Sequence, residues 1–412
     1  MIKYDKFTLD NGLKVIVHQD KSTPIVAFNI IYNVGAKDES SNKTGFAHLF
    51  EHLMFGGSVN IPSFDEPLER VGGSNNAWTN NDVTNYYETL PKENLETAFW
   101  LESDRMLSLA FTDKSLEVQR QVVIEEFKQN YLNQPYGDMS LLLRPLAYKK
   151  HPYQWSTIGK EISHIEGATM DDVKSFFFSH YAPNSAVLTV AGDVSTEEIK
   201  VLAEKWFGPI EKRELKARTY AKEEAQNEYR FLEVKRDVPA DAIQMAFHMC
   251  DRLSKDYYAS DLLSDVLSNG KSSRLYKTLV QDEQIFSELD AYIMGSHDAG
   301  LFMFNGKLMP NKTIKEGEDA IWKQIDLLLN EGLKKDELLK VQNKVEANLI
   351  FGDMSVLNKA MNLSMFELLG DAEMINQETK KYKAVTEKEL MQVAKQILQK
   401  QNCSCLHYLK EK

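Results

Sequence analysis

The second half of the chain repeats the order of elements found in the first half, and this repeat limits the fold more than any other sequence feature. In each half an Asp/Pro turn precedes an apolar run, first at Ile25 to Tyr32 and again at Ala242 to Met249. Three further matches follow in the same order: His48 to Gly57 with Asp261 to Gly270, Leu116 to Glu126 with Leu338 to Leu349, and Thr169 to Ala191 with Thr386 to Leu409. Two copies are too few for a solenoid, so the repeat predicts two similar α/β domains.

The length of 412 residues suits two or three domains. The stretch from Glu211 to Glu228 is charged and polar enough to be a linker. We therefore expect an α+β fold with a first α/β domain at 1–212, a linker at 213–228 and a second, similar domain at 229–412. Each domain is expected to hold a mostly antiparallel sheet with helices packed on it.

Local patterns place the elements of the first domain. The predicted strands are 5–18, 25–33 and 186–190, a hairpin covers 75–89, the stretch 56–75 is loop-rich, and the predicted helices are 44–55, 92–108, 114–130 and 169–180.

Composition excludes several classes of protein. The net charge of −12, with no cluster of Lys and Arg, argues against nucleic-acid binding. No apolar run approaches the roughly 18 residues that a membrane-spanning helix needs. The first residues lack the apolar core of a signal peptide, so we expect a cytoplasmic protein unless a leader is missing from this sequence. Three cysteines fit a reducing compartment, and the alternation from Cys403 to His407 predicts a strand rather than a metal site.

The stretch Gly45 to Gly57 carries the pattern that predicts chemistry. His48, Glu51 and His52 fall on one side of a short helix, because residues three and four apart are neighbours. Two neutral imidazoles can reach one zinc ion, and the carboxylate beside them can take a proton from water activated by the metal. The order His-x-x-Glu-His is typical of inverted zincins. The alternative is an amphipathic helix with these residues on its wet face.

A third ligand must come from elsewhere, and the helix from Leu116 to Phe127 is the best source. Glu125 and Glu126 point about 100° apart on a helix, so only one can face the metal, and the apolar pattern does not decide between them. The second copy has Asp261, Ser264 and Asp265 where the first has its two histidines and glutamate. We expect the first half of the chain to carry the catalytic residues and the second half to form one wall of the site.

Several motifs together resemble one enzyme family. They are His48-x-x-Glu51-His52 followed by Leu-Met-Phe-x-Gly, Gly72-Gly73-x-x-Asn76-Ala77-x-Thr79-x-x-Asp82-x-Thr84-x-Tyr86, Arg120-x-Val-Val-x-Glu-Glu126, His151-Pro152-Tyr153 with Ile158-Gly159, and Ser272-Ser273-Arg274-Leu275. The chain resembles the insulinase/pitrilysin family of zinc peptidases, and within it the mitochondrial-processing-peptidase-like group with two domains per chain. The resemblance implies half of a clamshell chamber and one Zn²⁺ per chain.

The resemblance also assigns residues. It implies that Glu126 is the third zinc ligand, a place where the second copy has Leu349. The family often has a glutamate seven residues earlier, where this chain has Gln119, so the groups around the ligands are expected to differ, with Glu117 as a compensating residue.

The segment Asn76-Ala77-Trp78-Thr79 resembles the family's substrate-binding edge strand. An open edge offers unpaired backbone groups to which an extended peptide can add as another strand. We therefore expect a peptide or an unfolded protein segment as substrate.

One departure from the family concerns the second half. Family members hold substrate with an arginine and a tyrosine, at positions that are Val280 and Ser287 here. The resemblance therefore implies a zinc endopeptidase that is the metal-bearing subunit of a heteromeric enzyme, with a related two-domain chain supplying the Arg/Tyr pair. The alternative is a non-catalytic structural or peptide-binding subunit of a larger complex.

Overall fold

The computed structural model describes residues 1–215 and 218–411, which form two compact units. Unit 1 contains Met1–Phe127, Trp155–Tyr220 and Ile350–Gln377. Unit 2 contains Lys128–Gln154, Ala221–Leu349 and Glu378–Lys412.

The strands and helices are numbered along the chain. The strands are β1 (Asp5–Thr8), β2 (Lys14–Gln19), β3 (Ile25–Tyr32), β4 (Ser74–Thr79), β5 (Thr84–Pro91), β6 (Ala186–Gly192), β7 (Arg230–Arg236), β8 (Ala242–His248), β9 (Phe286–Met294), β10 (Leu301–Leu308) and β11 (Cys403–Lys410). The helices are α1 (Phe46–Leu53), α2 (Asp65–Arg70), α3 (Leu95–Leu107), α4 (Asp113–Phe127), α5 (Met139–Ala147), α6 (Ile162–Glu166), α7 (Met170–His180), α8 (Thr196–Trp206), α9 (Tyr257–Ser268), α10 (Ile314–Glu331), α11 (Glu337–Gly352), α12 (Val356–Leu369), α13 (Glu378–Ala384) and α14 (Glu387–Ile397).

Each unit is built on one sheet, and the two sheets share a strand order. The sheet of unit 1 runs β1-β2-β6-β3-β5-β4, and that of unit 2 runs β7-β11-β8-β10-β9. In both, one pair is parallel (β2 with β6, β7 with β11) and the remaining pairs are antiparallel. The predicted α+β fold with two similar, mostly antiparallel sheets is therefore confirmed, and the sequence repeat corresponds to a repeat of topology.

Each unit includes a helix from the other half of the chain. In unit 1, α12 packs on the sheet, with Ala360 against Ala27 and Ala191 and with Leu363 near Ile31. In unit 2, α5 packs on strands β8 and β11 in the same manner. The two compact units therefore differ from the contiguous ranges 1–212 and 229–412 expected from the sequence. Hydrophobic periodicity indicates that a helix has an apolar face but not which sheet that face will cover.

Buried polar contacts fix α12 on the first sheet. Asn29 donates to the Ser364 hydroxyl at 3.0 Å, and that hydroxyl donates to Thr189 at 2.7 Å. In the first turn of the helix, Lys359 Nζ lies 2.6 Å from Asp20 Oδ2. Buried polar groups are costly unless paired, so these contacts specify one position for the helix.

Several element bounds differ from those predicted. The strand expected at 5–18 is two strands, because the backbone turns at Gly12 with φ of 89°. The loop-rich stretch 56–75 contains the short helix α2, and the helix expected at 114–130 is α-helical to Phe127 and continues as a π-helix over Lys128–Leu132. The predicted strand at 403–407 is β11. Among the helices in the described ranges, none combines the length and the apolar character needed to cross a membrane.

Candidate metal centre

The helix α1 separates an apolar side from a polar side. Its buried residues are Phe46, Ala47, Leu49, Phe50 and Leu53. His48, Glu51 and His52 are half-buried and alternate with them in sequence. Packing of the apolar positions in the core of unit 1 thus leaves the three predicted site residues together.

The start of α1 is held by a residue that sequence reasoning missed. Gly45 precedes the helix with φ of 88° and has no side chain to accept a hydrogen bond from the first turn. The carboxylate of Glu39 does so instead, accepting from the backbone N–H groups of Gly45 and Ala47 at 2.9 and 2.8 Å. A glutamate six residues before the N-cap residue Gly45 matches no capping motif, so the sequence contained no signal for it.

The helix α4 supplies the third member of the group. Its residues Val123, Ile124 and Phe127 are buried, which turns Glu126 toward α1 and leaves Glu125 exposed. The geometry thus separates two residues that the sequence pattern alone left equivalent.

Three atoms of His48, His52 and Glu126 converge. The two imidazole Nε2 atoms are 3.2 Å apart, and Glu126 Oε2 lies 3.3 Å from Nε2 of His48 and 3.6 Å from Nε2 of His52. Tetrahedral zinc with ligand bonds of about 2.0–2.1 Å sets adjacent ligand atoms roughly 3.4 Å apart. Both the donor types and their spacing therefore fit one zinc ion with an open fourth position.

The electrostatics of the site favour metal binding by neutral imidazole. Burial and the nearby His52 lower the pKa of His48 to about 4, so its ring is neutral at physiological pH. Burial raises the pKa of Glu51, while a hydrogen bond from the Thr79 hydroxyl and the charge of His52 oppose that shift. Glu51 is thus a half-buried carboxyl with a raised pKa beside the ligand group, a combination suited to a general base.

The predicted substrate segment, residues 76–79, lies in strand β4. This strand forms one edge of the first sheet and pairs only with β5 in the described part of the chain. The Ala77 N–H donates to the side chain of Asn76 at 2.8 Å rather than to β5. Trp78 and Thr79 are half-buried, and Thr79 reaches Glu51. The open edge and the carboxyl of Glu51 are therefore adjacent.

The residues expected to support the ligands do not join the group. Glu117 is exposed and accepts hydrogen bonds from Arg120 and Gln121. Gln119 is half-buried on α4. Two positions along a helix turn a side chain by about 200°, so Glu117 points away from the direction of Gln119 and contacts Arg120 and Gln121 instead.

The corresponding positions in unit 2 are engaged in other contacts. Asp261 accepts a hydrogen bond from Tyr382 at 2.5 Å, and Asp265 accepts one from Asn269 at 2.6 Å. Leu349 packs against the core of the unit. Val280 also packs there, whereas Ser287 donates to the Lys307 carbonyl at 3.1 Å. These side chains stabilise the unit rather than form a second copy of the site.

A second group of donor atoms lies in unit 2. Glu318, Cys405 and His407 bring one donor atom each to within 4.8 Å of one another. The His407 Nε2 is 2.8 Å from Glu318 Oε2, and the Tyr229 hydroxyl donates to Glu318 Oε1 at 2.8 Å. Burial raises the pKa of the Cys405 thiol to about 12. Hydrogen bonds and burial thus explain this cluster.

Comparison with known proteins gives concordant results for both halves. Residues 14–160 match the model of the insulinase family (peptidase family M16), and residues 167–345 match that of the peptidase M16 inactive domain. The zinc protease PqqE of Helicobacter pylori is 33% identical over 353 residues, 84% of this chain and 78% of that protein.

Solved structures of proteases have the same fold as this chain. A protease from Helicobacter pylori superposes with a TM-score of 0.94 at 28% identity, over 99% of this chain and 100% of that one. Pitrilysin superposes with a TM-score of 0.82 at 17% identity, over 99% of this chain but 45% of its own. On the sequence match to the Helicobacter protease and the two family models, the chain belongs to the insulinase family of peptidases, family M16.

Proposed function

We propose that this chain is a zinc-dependent endopeptidase whose metal ligands are His48, His52 and Glu126. The observation that carries the proposal is the triangle of ligand atoms with edges of 3.2, 3.3 and 3.6 Å. A purely structural chain requires neither this triangle nor a half-buried carboxyl at Glu51 beside it.

Each group of the proposed site has its own role in peptide hydrolysis. Bound zinc would polarise the scissile carbonyl and lower the pKa of a water molecule. Glu51 accepts the proton of the attacking water and later donates it to the leaving amine. Thr79, at the end of β4, lies beside the Glu51 carboxyl and lowers its pKa.

The open edge of β4 supports a peptide substrate. An extended segment that adds to this edge is bound mainly through its backbone, so many sequences are acceptable. Most backbone groups of a folded protein are already paired within it, so peptides and unfolded protein segments are the proposed substrates.

A related two-domain partner is the second part of the proposal. Val280 and Ser287 cannot donate to a substrate carbonyl as the family's arginine and tyrosine do. The chain also matches less than half of the longer pitrilysin chain. We infer that a related chain supplies the pair and closes a chamber around the site of this one.

The decisive experiment assays the purified chain alone, and then with each related two-domain chain from the same cell, on an unstructured fluorogenic peptide. We expect activity with one partner, its loss with a chelator, and its loss with Glu51→Gln in this chain. Zinc binding without turnover in every combination would instead support the non-catalytic subunit.

A further inference from the structure

We propose that Glu39 is the positioning residue of the metal helix: its carboxylate fixes the first turn of α1 and, through it, the ring of His48. The inference rests on the proposed zinc site, because it concerns how the ligands on α1 are held.

The carboxylate replaces a missing cap. The first N–H groups of a helix have no partner within the helix and need acceptors from outside it. Gly45 offers no side chain, and both oxygens of Glu39 are used, Oε2 by the N–H of Gly45 and Oε1 by that of Ala47. The two bonds therefore fix both the position and the rotation of the first turn.

The surroundings of Glu39 keep it from moving. The residue is 7% exposed, and the side chain of Trp155 lies beside its carboxyl group and lowers its pKa. The indole N–H of Trp155 donates to the Ala36 carbonyl at 2.9 Å, which holds the ring in place. On the other side of the turn, a Cβ placed on Gly45 would lie 2.8 Å from the Ile158 carbonyl oxygen. The start of α1 is therefore enclosed between a fixed carboxylate and a fixed loop.

His48 depends on this backbone anchor more than a typical zinc ligand. Metal-bound histidines usually donate their second ring N–H to a carboxylate or carbonyl, which orients the ring. In the described residues, Nδ1 of His48 is buried and has no hydrogen-bond partner. Its orientation is therefore set by the helix and by packing, and Ala47, held by Glu39, directly precedes it.

The repeat in unit 2 provides an internal comparison. Helix α9 follows a turn in which Asp251 accepts from the N–H groups of Leu253 and Ser254. No carboxylate among the described residues accepts a hydrogen bond from the first amides of α9. Helix α1, which carries two of the proposed ligands, has the buried carboxyl of Glu39 at its start. Helix α9, at the corresponding place in unit 2, has no such group among the described residues.

Burying the Glu39 carboxyl costs free energy of desolvation. Burial raises the pKa of Glu39 to about 8, against the lowering effect of its hydrogen bonds. A side chain without an ionisable group would avoid that desolvation, so the two hydrogen bonds to the start of α1 account for the glutamate.

The test compares zinc affinity of Glu39→Gln and of a matched control, measured on the full chain by competition with a chromophoric chelator. Glutamine cannot accept from both amides, because its NH₂ group is a donor. The control is Glu367→Gln, which alters another buried carboxylate of unit 1 that accepts from Lys6 and from a backbone amide. We expect Glu39→Gln to weaken zinc binding about 10-fold to 100-fold, as loss of supporting contacts does in other zinc sites, and the control to bind as the wild type does.

Hydrogen exchange in the unaltered protein keeps the inference testable if Glu39→Gln does not fold. The Gly45 and Ala47 amides should be strongly protected without metal. Rapid exchange at either amide, or equal zinc affinity of the two variants, would overturn the role of Glu39. Absence of zinc binding by the wild type, with both amides protected, would instead reject the proposed function.

Discussion

Glu126 Oε2 lies 3.3 Å from Nε2 of His48, although the two residues belong to different helices. The convergence predicts about one zinc per chain by elemental analysis. Replacing two of the three ligands leaves one donor, so His48→Ala combined with His52→Ala should purify without stoichiometric zinc. Cys405→Ser is the matched control because it alters the other donor cluster. Stoichiometric metal in the double histidine variant would place the site elsewhere.

The two adjacent glutamates of α4 should behave differently. Glu126→Gln replaces a charged ligand by a weak neutral one and should weaken zinc affinity markedly. Glu125→Gln changes an exposed side chain one position earlier and should retain it. Chelator competition on both variants checks the assignment, and the reverse order of affinities would identify Glu125 as the ligand.

Glu51→Gln separates chemistry from metal binding. The substitution keeps the size of the side chain but removes the base, so zinc content should be unchanged while peptide turnover by the active assembly falls about 10²-fold or more. Glu117→Gln, at an exposed position on α4, should retain wild-type turnover. If Glu51→Gln cleaves peptide at the normal rate, another group is the base.

Ala77→Pro tests strand addition at β4. Proline removes an N–H that does not pair with β5, so an edge strand can accommodate it. The loss of one backbone contact should raise KM for an unstructured peptide several-fold while zinc content stays constant. Ala77→Ser keeps the N–H and should have the wild-type KM. An unchanged KM in the proline variant would argue against binding at this edge.

The raised pKa of Asp265 predicts that this residue makes a pH-dependent contribution to the free energy of unfolding. Burial raises its pKa from 3.8 to about 6. The folded state therefore holds the proton more tightly, and the resulting stabilisation, complete below about pH 4, is lost as pH rises through 6. Asp265→Asn cannot ionise and still accepts from Asn269. Its free energy of unfolding relative to the wild type should rise between pH 4 and 7.

Between pH 4 and 7, the free energy of unfolding of Asp265→Asn should rise relative to the wild type by less than about 3 kcal/mol, because the side chain is partly exposed. Urea unfolding at several pH values measures it. Asp319→Asn, at an exposed site on α10, controls for the loss of one negative charge. A variant curve parallel to that of the wild type would mean that Asp265 has no raised pKa.

Local pattern and repetition predicted much of this structure. The fold class and the repeat follow from patterns of apolar residues, and the placing of His48, Glu51 and His52 on one helix follows from their spacing. These features depend on neighbours in sequence. The choice of Glu126 over Glu125 came from the family resemblance, since two adjacent helix positions differ only in which side of α4 is buried.

The features that sequence reasoning missed depend on distant contacts. Glu39 reaches α1 through a turn whose path no local pattern specifies. The contiguous ranges 1–212 and 229–412 do not show that α5 packs in unit 2 and α12 in unit 1, because periodicity identifies an apolar face but not the sheet that it covers.

The position of α12 has a consequence for synthesis on the ribosome. A nascent chain that has emerged only as far as β6 has every strand of the first sheet but not the helix that covers Ala27 and Ala191. That apolar face must wait for residues 356–369, which follow most of unit 2 in translation order. Contacts so distant in sequence are slow to form, and exposed apolar sheet surface promotes aggregation. Unit 1, which holds the candidate zinc ligands, is translated largely first but completed late. A chaperone would be needed while its sheet waits for α12.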